Sequence, residues 1–290
     1  MATLVKKNIK KLTLFRPMIL SRHPSHDILR LKHKKIQALP YRSVIRFGSS
    51  TEVHDIISKG GDRVEINSVN AIKISANKLL MKQKFVEANV KTAEWTNNIN
   101  NINSLTNDWK NAIVAKAHYG SKGRGNSLIK SQSEFDAWKQ KTTNHSSYIF
   151  EQFMNYALEY RLHISELGCF YTCRKALKSD VPEDQKWRRH DDICVWFLET
   201  NENFLKPNSW NDIENDCVKA LKAVGADLLS FDVRVQGPND SDGKPRKYQE
   251  YILLECNSAS SMDNGTGEVS VCAQKYIEEI PKIIKHKINK

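Results

Sequence analysis

The chain has 290 residues, 40% of them hydrophobic, and a formal net charge of +12. That is enough apolar content to fill one large core or a few small ones around a shared cleft, which excludes a disordered chain. No apolar run approaches the roughly 18 residues of a spanning helix, and Met18 to Leu20 is too short for a signal-peptide core, so a cytoplasmic protein without membrane contact is expected.

The charge is uneven: residues 1–50 hold twelve Lys or Arg and one acid, Asp27, leaving the remainder near neutral. Such a stretch is either a solvated face or a patch for an anionic partner such as phosphates, nucleic acid or an acidic polypeptide. A Lys-rich, Ser-poor composition disfavours a mitochondrial presequence over Met1 to Arg22. Six cysteines without a CxxC pair or matching His spacing argue against a disulfide framework and a zinc site.

In chain order, Tyr41 to Phe47 reads as a strand, Gly60-Gly61-Asp62 as a break and Val64 to Asn67 as a second strand. Ser75-Ala76-Asn77 caps a helix over about Lys78 to Ala88 with Leu79, Leu80, Phe85 and Val86 on its apolar side. Ala112 to Ala117 is a short strand, and Ser133 opens a helix to Gln140. Ser147 to Phe153 and Tyr160 to Glu166 read as strands, Asp180 to His190 as a mobile surface loop and Ile193 to Leu198 as a strand. Helix Asp212 to Val224, strand Leu228 to Val235, a Gly/Pro/Asp turn over Gly237 to Pro245, strand Tyr251 to Cys256 and a helix from about Val269 complete an α/β (α+β) chain.

Two segments carry chemistry. Lys116 ends a strand and is followed by Gly120, Ser121, Lys122, Gly123, Arg124 and Gly125, where glycines let backbone N–H groups approach phosphate oxygens and the basic side chains add charge. Asn126 stands where a P-loop needs lysine, and no third glycine completes GxGxxG. The second segment is the strand pair Phe231 to Val235 and Ile252 to Asn257. Period-two geometry places Asp232 with Arg234 and Glu255 with Asn257, while Val233, Val235, Leu254 and Cys256 can point to the core. Two acids and an amide oxygen meeting on adjacent strands suit Mg2+.

In order, Lys116, the glycine loop, Glu151, Glu159-x-Arg161, Asp232 and Glu255-x-Asn257 resemble the ATP-grasp superfamily over roughly residues 70 to 275. The resemblance implies two α/β subdomains clasping ATP: a short basic N-terminal region over 1–75, a small subdomain over 76–155 and a C-terminal subdomain over 156–290. It implies that Lys78 and Lys116 touch the nucleotide, that the loop closes on the phosphates, and that Glu151 with the main chain of Gln152 and Phe153 meets adenine. Glu159 would then meet the ribose, Arg161 and Lys175 the phosphates, Asp232, Glu255 and Asn257 the Mg2+, and Arg234 the transferred phosphoryl group. Family members commonly join a carboxylate to an amine through an acyl phosphate, giving ADP and phosphate. A kinase acting on a hydroxyl, and a nucleic-acid-binding protein with a degenerate nucleotide site, are the alternatives. Ser258-Ala259-Ser260 replaces the Pro-Gly that follows in many amide-forming members, and Ile45-Arg46-Phe47-Gly48-Ser49 is similar to the start of small phage ATP-grasp proteins. The acceptor then expected is a peptide, a protein or another large molecule, and Arg188, Arg189 and His190 sit in the loop that would either face the phosphates or substrate or remain a plain surface loop.

Overall fold

The computed structural model describes residues 17–21, 33–40, 43–53, 63–120, 123, 125–189, 191–262 and 270–290. The expected break at Gly60-Gly61-Asp62 lies outside them, as does most of the basic N-terminal stretch. Three parallel strands come first, β1 (Met18–Ser21), β2 (Ser43–Phe47) and β3 (Val64–Ile66), in the order β1-β2-β3, with helix α1 (Lys34–Gln37) between the first two in sequence. Every residue of β2 is buried, including Arg46, whose guanidinium donates to Glu65 at 2.6 Å and to the Asn67 carbonyl at 3.4 Å.

Asn67 joins this sheet to the rest of the molecule. It is fully buried with φ at 62°, a left-handed conformation that asparagine tolerates better than most residues. Its side-chain oxygen accepts from the Asp227 and Leu228 amides at 2.9 and 3.1 Å, and its nitrogen donates to the Leu228 and Arg46 carbonyls at 2.8 and 3.3 Å. Those four bonds fill the capacity of the amide.

Asn77 ends helix α2 (Val69–Ala76) and caps α3 (Lys78–Glu87), its side chain accepting from the Leu79 and Leu80 amides. The expected apolar side of α3 is corrected: Leu80 and Val86 are 39% and 58% exposed, and the inward stripe is Lys78, Met81, Lys82 and Phe85. That stripe has the i, i+3, i+4, i+7 spacing of a buried helix face. Two of its members are lysines held by carboxylates, so hydrophobicity alone selects the wrong side. Although α3 falls in the stretch expected to form the small subdomain, its Met81 and Phe85 enter the core of the larger sheet described below.

Strands β4 (Trp95–Thr96), β5 (Ile113–Ala117), β6 (Ser127–Ile129) and β7 (Tyr148–Gln152) form an antiparallel sheet in the order β4-β7-β5-β6. Helices α4 (Asn103–Thr106) and α5 (Gln132–Lys141) cover one face through Leu105, Phe135 and Trp138 against Ile113, Ala115 and Phe150. Ser131, not Ser133, caps α5 by accepting from the Glu134 amide, because Ser131-x-x-Glu134 supplies the S-x-x-E start signal.

The larger sheet, antiparallel throughout, contains β8 (Leu158–Ser165), β9 (Gly168–Leu177), β10 (Cys194–Leu198), β11 (Leu228–Val235) and β12 (Tyr251–Asn257), in the order β10-β9-β8-β11-β12. Strand β9 has no counterpart among the elements expected from the sequence. One face packs Tyr160, Leu162, Phe231 and Val233 against α3 and against α6 (Trp210–Val224). On the other face α7 (Val271–Ile288) lies over His163 and Ser165, which contact Tyr276 and Glu279 at 2.8 and 2.6 Å, and also packs against the first sheet. Further along that face the strands carry Glu159, Arg161, Asp232 and Arg234.

A register shift in β12 aims the chemistry. Asp232 pairs with Glu255, but the next residue, Val233, pairs with Leu253, leaving Leu254 unpaired as a bulge. Tyr251 and Leu253 face the core before the bulge and Cys256 after it. The expectation that Leu254 points to the core is therefore corrected to Leu253. Strict alternation from Leu253 would have turned Glu255 inward.

The joint at Asn67 yields a prediction. Asn67→Ala removes four hydrogen bonds and places alanine at positive φ, and should cost about 3 kcal/mol or more in urea unfolding. Asn67→Gly, which relieves φ alone, should recover less than half of that loss; full recovery would show that the bonds matter little.

Candidate functional site

The larger sheet presents charges in two cross-strand rows. Lys175, Glu159 and Arg234 are register partners across β9, β8 and β11, and Arg161, Asp232 and Glu255 across β8, β11 and β12. Asp232 accepts from Arg161 Nε at 2.7 Å and from its terminal nitrogen at 3.0 Å, with the Asn257 amide nitrogen at 3.3 Å. Burial alone would raise the Asp232 pKa and lower that of Arg161, but the mutual pairing holds the carboxyl below its ordinary range and the guanidinium well above. Burial, aided by Arg161, pushes His163 down to about 3, so this imidazole is neutral.

Glu159 is 4% exposed and sits among Arg234 at 3.2 Å, Lys175 at 3.6 Å and Arg189 at 3.9 Å. Lys175 also meets Asp191 at 3.0 Å; burial works against its charge, yet Glu159 and Asp232 lift its pKa above the ordinary value. The Arg161 guanidinium and Lys175 ammonium lie 4.9 and 5.3 Å from the Trp196 ring. The segment expected as a surface loop is exposed over residues 182–186 and touches this site at its end: Arg234 donates to the Trp187 carbonyl at 2.8 Å, and Arg189 to the Tyr156 and Ala157 carbonyls at 3.0 and 3.1 Å. Its last expected residue, His190, lies outside the described residues.

Facing this surface, the four-stranded sheet contributes Lys116 and Glu151 from the side opposite its aromatic core. Glu151 is 2% exposed and forms ion pairs with Lys116 and, at 2.5 Å, with Lys82. Burial would raise its pKa, but Lys116 and Lys82 hold it at about 2. Its carboxylate is thus engaged by two ammonium groups. The Gln152 and Phe153 amides donate to the Glu94 and Ala112 carbonyls at 2.9 and 2.8 Å, so those two donors serve the sheet, and the Phe153 ring lies 5.6 Å from the Arg234 guanidinium.

Lys78 connects both sides. Its ammonium donates to the Gly120 carbonyl at 3.0 Å and lies 4.0 Å from Glu255, its amide donates to the His118 carbonyl at 2.8 Å, and Asn77 donates to the Tyr119 hydroxyl at 3.0 Å. The start of α3 therefore holds the entry of the glycine loop beside Glu255. Gly123 and Gly125 have φ of 63° and 78°, which favours glycine at both. Ser121, Lys122 and Arg124 lie outside the described residues.

For Mg2+, the site offers two carboxylates that are register partners and a nearby amide, the hard oxygen donors that this ion takes. Glu255 suits the role: it is one-third exposed and its ammonium neighbour is 4.0 Å away. Asp232 fits provided Arg161 shares one of its oxygens. Among the described residues no three His, Cys, Asp or Glu side chains converge on a metal position, so the third protein ligand would be the Asn257 amide.

Two site residues are not among those expected from the sequence, Lys82 and Asp191, whereas Arg189, in the loop expected to face the phosphates or substrate, does reach Glu159. Lys82 was legible only as the residue one helical turn after Lys78. Asp191 directly follows the charged segment that reads as a surface loop.

The fold is shared with known structures. The chain superimposes on the ATP-grasp ligase PsnB (16% identity, 77% of this chain and 64% of that one, TM-score 0.50), on the D-alanine–D-alanine ligase of Bacillus anthracis complexed with ATP (12%, 92% and 86%, 0.53) and on biotin carboxylase of Campylobacter jejuni (14%, 84% and 54%, 0.57). It thus spans less than two thirds of PsnB and about half of the carboxylase. No family model and no curated protein sequence matches the chain. The architecture is the ATP-grasp fold, two α/β subdomains with the charged faces between them. Among the described residues no helix is long and apolar enough to cross a membrane.

Glu151 sets a pH dependence. A carboxyl whose folded pKa is depressed contributes stability that is fully present above its unfolded value and lost as pH falls through the folded one. About 3 kcal/mol should therefore disappear between roughly pH 4.5 and 2. Melting temperatures across that window should fall more steeply for the wild type than for Glu151→Gln; parallel slopes would mean that the carboxylate is not held by the lysines.

Proposed function

We propose that the chain is an ADP-forming ligase that activates a carboxylate with ATP and joins it to an amine. One observation carries this reading: within an ATP-grasp fold, Asp232 and Glu255 face each other across a bulged strand pair, beside Asn257 and beneath Lys78 and the glycine loop. Six cations (Lys78, Lys116, Arg161, Lys175, Arg189 and Arg234) stand against five carboxylates (Glu151, Glu159, Asp191, Asp232 and Glu255), an excess that favours a polyphosphate.

Asp232, Glu255 and Asn257 would hold Mg2+, which when bound offsets charge between phosphate oxygens. Lys78, Lys116 and the glycine loop would bind the phosphates, Glu159 the ribose, and Arg161, Lys175 and Arg234 would steady the phosphoryl group as it transfers. A substrate carboxylate oxygen attacks the γ-phosphorus and ADP leaves. The amine nitrogen then attacks the acyl carbon, phosphate leaves and a proton is released. The side chains hold charges and geometry, and none needs to act as a nucleophile.

The basic start of the chain, of which Lys34 and Lys35 of α1 are exposed, supports an anionic and large acceptor such as a peptide or protein. With the phage-like Ile45 to Ser49 segment, it supports a small ATP-grasp protein of the cytoplasm, host cytoplasm if phage-encoded.

Incubation with Mg-ATP and candidate carboxylate–amine pairs should give ADP, phosphate and an amide, with turnover falling on the order of 100-fold in Asp232→Asn and Glu255→Gln. A phosphorylated product without free phosphate would replace the ligase by a kinase. AMP and pyrophosphate would refute the acyl phosphate.

A further inference from the structure

Lys82 does not reach the open cleft: it is fully buried. Its ammonium touches Glu151 Oε1 at 2.5 Å, the Thr92 hydroxyl, and the Leu253 carbonyl at 3.3 Å, and the Thr92 hydroxyl donates to that same carbonyl at 2.9 Å. These partners belong to different bodies. Met81 and Phe85, Lys82's neighbours on α3, are in the core of the five-stranded sheet; Leu253 lies on β12 of that sheet, one residue before the bulge; Glu151 lies on β7 of the four-stranded sheet.

Burying an ammonium is costly unless it is paired, so a lysine here is a poor choice for packing alone. What it supplies is a division of the Glu151 carboxylate. Lys82 takes Oε1 and Lys116 takes Oε2. Lys116, 13% exposed, is thereby confined to the cleft side of the carboxylate. On the opposite side, the Lys82 contact with the Leu253 carbonyl braces the strand where the bulge turns Glu255 toward the cleft.

We propose that Lys82 is a positioning residue: it locks the four-stranded sheet to β12 and, by sharing Glu151, sets where Lys116 stands, without itself contacting nucleotide. The functional half of this rests on the Mg-ATP reading of the cleft; the lock does not.

The test is a double-mutant cycle on the full chain with Lys82→Met, Glu151→Met and the double variant, read in two ways. In thermal unfolding, each single variant leaves a buried charge short of a partner, so the double variant should melt higher than the sum of the two losses allows. Additive losses would overturn the lock. In equilibrium binding of Mg-ATP, Lys82→Met should weaken affinity at least tenfold and, in turnover, raise KM far more than it lowers kcat. In the Glu151→Met background it should have no further effect. A folded Lys82→Met protein that binds Mg-ATP like the wild type, or an equal loss in both backgrounds, would overturn the positioning role. If the wild type itself fails to bind Mg-ATP, the nucleotide reading and the positioning role fall together, and the thermal cycle still decides the lock.

Discussion

The molecule keeps charged side chains on a nearly dry face of a β-sheet, and that is tenable only because its two buried carboxylates, Glu159 and Asp232, are matched by cations on neighbouring strands. Glu159 and Asp232 are 4% and 6% exposed, and an unmatched buried carboxylate would cost several kcal/mol. Antiparallel registry provides the match: Glu159 falls opposite Lys175 and Arg234, and Asp232 opposite Arg161. The rest of the architecture accommodates this face. Helices α3 and α6 bury the apolar side of the sheet, α7 covers the charged side only as far as His163 and Ser165, and the bulge at Leu254 adds Glu255 to the row.

The same matching bears on the ligase reading proposed above. A cation balanced by a framework carboxylate can turn part of its field to an incoming anion without large rearrangement, the preorganisation that a phosphoryl transfer there would require. The opposing sheet repeats the device with Glu151 between Lys82 and Lys116. The glycine loop enters the cleft already tied to the start of α3 through His118, Tyr119 and Gly120. The glycine loop and Glu255 are thus connected through Lys78, whose ammonium faces both.

How much of this could be read from sequence depends on whether burial and hydrophobicity coincide. Strand β11 is read at its actual bounds, because Leu229, Phe231, Val233 and Val235 alternate with the polar residues of the charged face. The facing of Asp232 and Glu255 follows from the hairpin, but the bulge that produces it does not, since Leu253 and Leu254 are the same residue type. Strand β9 goes unread because its cleft-facing Lys175 and the adjoining Arg174 resemble a solvated stretch. On α3 the failure is sharper: the buried stripe includes Lys78 and Lys82, so an apolar pattern points to Leu80 and Val86, which face solvent. Charged residues buried for a purpose invert the pattern used to find burial.

If the two charged faces clasp one Mg-nucleotide, as proposed, a crystal structure of the chain grown with Mg-ADP will show it. The metal is then expected between Asp232, Glu255 and Asn257, with the phosphates under the glycine loop within reach of Lys78 and Lys116. Nucleotide bound away from this cleft, or a metal coordinated without Asp232 and Glu255, would contradict it.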